Sequence, residues 1–88
     1  MDKVRNLQEK ARALHELLAR YAKVDDDAEM VLGFMSSLFE EIEQGKVVPP
    51  VEDRYLWYFA NTEGPLFKYA DLLHVFSQYS RALEGWEM

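Results

Sequence analysis

Val4, Leu7, Ala11, Leu14, Leu18 and Tyr21 recur at spacings of three and four. That repeat is one face of an α-helix and does not fit a strand, whose side chains alternate with period two. Leu17 widens the stripe, Asp2 stands where an N-cap belongs, and Glu16 and Arg20 lie one turn apart on the outer face. The pattern predicts a helix from Asp2 to about Ala22. So long an apolar stripe is stable in water only against other elements, so the rest of the chain must supply its cover.

Three further segments do so, separated by strong breaks. Asp25, Asp26 and Asp27 punctuate the chain before a second helix, and one of them is expected to cap it. A calcium cluster is the other reading of a triple acid, but the alternating spacing, central Gly and terminal Glu of a calcium loop are not there. Helix two is expected to run to Gln44 and stop at Gly45 in the left-handed C′ position. Ala28, Val31, Met35, Leu38 and Ile42 make its stripe, with Met30, Leu32, Phe34 and Phe39 to the sides. A helix apolar over most of its girth is either central to the bundle or partly an interface. Its small residues Gly33, Ser36 and Ser37 would let a neighbouring helix come close.

Pro49-Pro50 ends any helix or central strand. Pro50 is expected to open a short third helix through Val51 to about Ala60, favoured by Glu52 and Asp53. The run from Arg54 to Phe59 also suits a strand, but nothing else reads as a partner strand, so a short helix or irregular turn is preferred. After a second break at Asn61 to Pro65, helix four is expected from Pro65 to about Glu84, closing on Gly85. Its stripe is Leu66, Tyr69, Leu73, Phe76, Ser80 and Leu83, thickened by Ala70, Leu72 and Tyr79, with Trp86 folding back over the helix end. The expected fold is therefore all-α: a single domain over residues 1–88, a small antiparallel bundle of three long helices and one short one.

With 88 residues there is room for one core. There is no cysteine, which excludes disulfides, thiolate metal sites and cysteine nucleophiles. The chain opens without a charged-then-apolar leader and has no apolar run of about 18 residues, so a soluble, cytoplasmic protein without a membrane role is expected. The net charge is −6, which disfavours nucleic acid and favours a basic protein partner, or simply keeps a small protein soluble. Met1 to Lys23 carries six basic residues against three acids, net +3, whereas Val24 to Glu63 carries ten acids against Lys46 and Arg54, net −8. A basic first helix beside an acidic second one is the simplest arrangement of those charges.

No nucleophile motif, phosphate loop or zinc spacing occurs, and no catalytic residue or cofactor is expected. Asp71 and His74 stand at i, i+3, half of a carboxylate-bridged di-metal pattern, but Arg12 occupies the position that would pair with His15 in the other half. His15 reads as a surface or boundary residue. Ser36, Ser37, Ser77 and Ser80 read as helix serines that pack or bond back to the backbone. Glu40, Glu41 and Glu43 cluster at one helix end without a basic or buried neighbour and read as a solvated acidic face.

What remains is surface. Phe39-Glu40-Glu41-Ile42-Glu43 ends helix two, and Glu52-Asp53-Arg54-Tyr55-Leu56-Trp57-Tyr58-Phe59 follows the proline break. One small core cannot bury five consecutive aromatic or leucine side chains. They either plug the open end of the bundle or face a partner, for which Tyr and Trp are favoured anchors.

The strings FEEIE at Phe39 to Glu43, DRYLWYF at Asp53 to Phe59 and EGP at Glu63 to Pro65 resemble the immunity proteins of DNase-type colicins and pyocins. Those are acidic four-helix proteins with an acidic second helix and a very short third helix carrying a Tyr pair. The family's adjacent Tyr-Tyr-Pro is replaced here, and the aromatic pair stands one residue further from the acid. The resemblance implies that helices two and three would bind a basic nuclease beside its active site and block substrate. Its positions here are Glu40, Glu41, Glu43, Asp53, Trp57 and Tyr58. Together with the residues read directly, the expected partner-binding set is Glu40, Glu41, Glu43, Glu52, Asp53, Tyr55, Trp57 and Tyr58. The function expected is a small acidic binding protein, of inhibitor or immunity type, that masks a basic surface of a toxin, nuclease or other effector. The alternative is a homodimeric helical module that associates through the apolar flanks of helices one and two.

Overall fold

The computed structural model describes residues 2–85, which form four helices, α1 Lys3–Ala22, α2 Asp26–Glu43, α3 Leu56–Ala60 and α4 Ala70–Leu83. No strand occurs among the described residues. Asp2 caps α1, accepting from the Val4 and Arg5 amides at 3.0 and 3.4 Å. Of the three aspartates it is Asp25 that caps α2, accepting from Asp27 and Ala28 at 2.8 and 3.3 Å. Gly45 (φ 74°) and Gly85 (φ 94°) follow α2 and α4 in the left-handed conformation that glycine adopts without a Cβ clash. Trp86 lies outside the described residues.

α1 is the shared helix, packed along both α2 and α4. Gln8 near its start donates to the Ile42 and Glu43 carbonyls at the end of α2. Tyr21 at its end donates to Asp71 in the first turn of α4, at 2.6 Å. Both neighbours therefore run antiparallel to it. The basic and acidic helices are side by side, and Arg12 of α1 forms a two-pronged pair with Glu43 of α2, at 2.6 and 2.9 Å. The centre of the bundle is thus α1, and the outer side of α2 is left uncovered.

The core consists of Leu7, Ala11, Leu14 and Leu18 of α1, Ala28, Val31, Met35, Phe39 and Ile42 of α2, and Leu72, Phe76, Tyr79, Ala82 and Leu83 of α4, closed by Phe59 and Leu66. Two stripes are rotated from expectation. Phe39 rather than Leu38 is buried in α2, because α1 lies on the Phe39 side. Leu72 rather than Leu73 is buried in α4, because that helix begins only at Ala70 and Leu66 reaches the core from a turn. The late start is set by α3, earlier in the chain. The Leu66 amide is spent on the Tyr58 carbonyl (3.0 Å) and so caps α3 instead of entering a helix.

α3 is also shorter than the expected helix from Pro50. The chain leaving α2 first crosses to the last turn of α4, at the same end of the bundle, where the Val51 amide bonds the Leu83 carbonyl at 2.7 Å. Residues 46–53 are irregular on the way, and the helix begins after Asp53 accepts from the Tyr55 amide at 3.0 Å. Phe59 then stacks on Phe76 of α4 with centroids 4.2 Å apart and planes 7° from parallel, while the Tyr55 hydroxyl donates to the Phe34 carbonyl of α2 at 3.2 Å. α3 thereby bridges α2 and α4. Ser36 and Ser77 bond back to the carbonyls one turn earlier, Leu32 and Leu73, as expected of helix serines. No described helix is long and apolar enough to cross a membrane.

Candidate partner-binding surface

Of the run from Tyr55 to Phe59, only Phe59 is fully buried. Tyr55 and Tyr58 are half-buried against the core, and Leu56 and Trp57 are 48% and 51% exposed. On α2, Met30 and Phe34 are 43% and 49% exposed. Phe34, Tyr58, Trp57 and Tyr55 belong to one surface. The Phe34 ring lies 6.0 Å from Tyr58, and Tyr58 lies 5.5 Å from Trp57 in an edge-on pair. Tyr55 sits 6.3 Å from Tyr58 on the inner side. An uninterrupted row of rings therefore runs from α2 to α3, its two ends half in solvent.

The acidic residues expected at this surface divide among three places. Glu41 and Glu52 line a groove of about 420 Å³ between α2 and the loop, floored by Phe34, Leu38, Val51 and Tyr55. Lys46 and Arg54 line the same groove. Glu40 and Glu43 face the other way, into a cleft of about 590 Å³ between α1 and α2. There the Arg12 guanidinium, through its hydrogen bond and charge, holds the Glu43 carboxyl below the usual range. Glu43 thus has a basic neighbour after all, and it is already engaged. His15 covers the same cleft, exposed to solvent and stacked on Phe39 at 4.8 Å. Asp53 lies beside Trp57 and Asn61 in a hollow of about 430 Å³ next to α3, but its Oδ1 is occupied by the Tyr55 amide and its Oδ2 is sealed from solvent.

The structure thus brings Tyr55, Trp57, Tyr58, Glu41 and Glu52 together on one side and places Glu40 and Glu43 on another. It adds Phe34, with Met30 one turn before it on α2, neither of them among the expected site residues, whereas Leu56 lines a hollow against α4. The signal for the first two was present in the spacing 30, 34, 37, 41, a second row along α2 about a quarter-turn from the core stripe.

The Asp71–His74 pair is taken up locally. Asp71 accepts from Tyr21 and the Leu72 amide, and His74 meets Gln78 at 3.2 Å. Among the described residues no three His, Asp or Glu side chains converge as metal ligands would. No protein-family model matches the chain, and comparison with curated proteins and with solved structures gave no match.

Proposed function

We propose that this chain acts by binding rather than catalysis, as a small acidic inhibitor of immunity type whose α2–α3 face masks a basic surface on a toxin, nuclease or similar effector. The observation that carries this reading is the half-exposed row Phe34–Tyr58–Trp57 beside Glu41 and Glu52. Large rings already ordered by their neighbours give contact area at low entropic cost, and carboxylates around them steer a cationic partner and select for it. Trp57 and Phe34 would enter the partner's surface, Tyr58 would support them from behind, and Glu41 and Glu52 would meet Lys or Arg.

A second reading, self-association, is favoured by the uncovered Met30 and Phe34. Against it, α2 carries six acids and no Lys or Arg, so a face-to-face pair of α2 helices would juxtapose like charges.

Light scattering behind size exclusion, at low and high salt, separates the two. A monomer near 10.3 kDa at both leaves the face free for another protein. A dimer that survives high salt overturns the inhibitor reading in its simple form. With a basic partner in hand, Trp57→Ala should weaken 1:1 binding by at least ~2 kcal/mol while the melting temperature stays close to that of the parent protein.

A further inference from the structure

Asp53 was expected to touch the partner, but its surroundings assign it a different task. One carboxylate oxygen, Oδ1, caps the turn into α3 at the Tyr55 amide. The other, Oδ2, is buried and has no hydrogen-bond partner among the described residues. The Tyr79 hydroxyl on α4 is in the same condition, buried and without a partner among the described residues, on a ring that is itself fully buried. Two such atoms at unrelated places would each cost stability. These two are not at unrelated places. The loop carrying Asp53 is tied to α4 by the bond from Val51 to Leu83, one turn beyond Tyr79. The Tyr79 hydroxyl is pushed up by burial first, and then by the neighbouring Asp53 charge and by Tyr55.

We infer that the Tyr79 hydroxyl and Asp53 Oδ2 form one buried hydrogen-bonded link, closed across a single water or by a small shift of the Asp53 side chain, and that Asp53 is a positioning residue for the aromatic row rather than a contact to the partner. The chemistry is complementary, since a hydroxyl donates and a carboxylate accepts, and both partners are removed from competing solvent. The consequence is mechanical. Asp53 holds the Tyr55 amide with one oxygen and α4 with the other, so the start of α3, and with it Trp57 and Tyr58, is set by a residue of the core. The importance of this for recognition rests on the function proposed above. The link itself does not, and it is testable in the isolated chain.

The experiment is a double-variant cycle in urea with Tyr79→Phe, Asp53→Asn and both together, in a Trp86→Phe background so that fluorescence reports Trp57. Tyr79→Phe keeps the ring and its packing, which guards against simple loss of the fold. The expected result is a lower unfolding midpoint for each single variant, a double variant no lower than the worse single, and greater acrylamide quenching of Trp57 in all three. An unchanged or raised midpoint for Tyr79→Phe, or losses that simply add, overturns the link. Coupled losses with Trp57 quenched as in the parent overturn the positioning role. Failure of the inhibitor reading is separate from all of these, because it appears in the salt-dependent oligomeric state and in partner binding.

Discussion

The Tyr69 hydroxyl donates to Asp25 Oδ2, the second oxygen of the carboxylate whose first oxygen caps α2. Tyr69 also stacks on Tyr21 of α1, with centroids 4.1 Å apart, and Tyr21 donates to Asp71 of α4. Lys68 completes the group, 3.7 Å from Asp25 Oδ2. The end of α1 and the starts of α2 and α4 are thus fastened by two crossed Tyr–Asp bonds.

This fastening predicts a stability profile with two limbs. The tyrosine hydroxyls hold the Asp25 and Asp71 carboxyls below the usual range. A depressed carboxyl adds stability above its unfolded value, near pH ~4, and loses it as pH falls further. Tyr69 is pushed up to about 12, chiefly by its bond to Asp25, and Tyr21 moves in the same direction. The protonated hydroxyl is the form favoured by folding. Its contribution is complete below about pH 10, the unfolded value, and is lost as pH climbs toward 12. Urea midpoints measured from acid to alkaline pH should fall on both sides of a neutral plateau, and Tyr69→Phe should flatten both limbs. Asp25→Ala, which also removes the cap, should cost about 0.5–2 kcal/mol at neutral pH.

Two glycines should respond in opposite directions to alanine. A Cβ on Gly64 would lie 2.2 Å from the Trp57 carbonyl oxygen and 3.1 Å from that of Tyr58, both backbone atoms with little freedom to move. Gly64→Ala should therefore cost about 1–3 kcal/mol and speed exchange of the Leu66 amide, which bonds Tyr58. A Cβ on Gly33, in mid-helix, meets nothing. Gly33→Ala should stabilise by about 0.5–1 kcal/mol through helix propensity alone. Denaturation midpoints and amide exchange check both.

Phe59 and Trp57 are two residues apart and should differ sharply. Phe59 is fully buried against Phe76, so Phe59→Ala should cost about 3–5 kcal/mol. Trp57 is half-exposed and rests on Tyr58, so the melting temperature of Trp57→Ala should stay near that of the parent. Equal losses in the two variants would place Trp57 in the core.

The ends of α1 and α2 were legible in the sequence because their causes are local. Asp2 and Asp25 cap amides two and three residues away, and Gly45 takes a conformation that side chains resist. The starts of α3 and α4 were not, because residues far along the chain decide them. Val51 is claimed by Leu83, and Leu66 by Tyr58. At the candidate surface, the excess of aromatic side chains from Tyr55 to Phe59 was readable, since one small core cannot hold them all. Which of them stay outside depended on Phe76, the ring that Phe59 found.

Spacing and residue chemistry within a turn or two suffice for four amphipathic or aromatic segments, their breaks and an acidic middle. Packing between helices made α1 the shared helix, joined Phe34 to Tyr58 and Trp57, and turned Glu40 and Glu43 away from Glu41 and Glu52. Helical periodicity orders side chains around one axis but does not say which neighbour will cover each side.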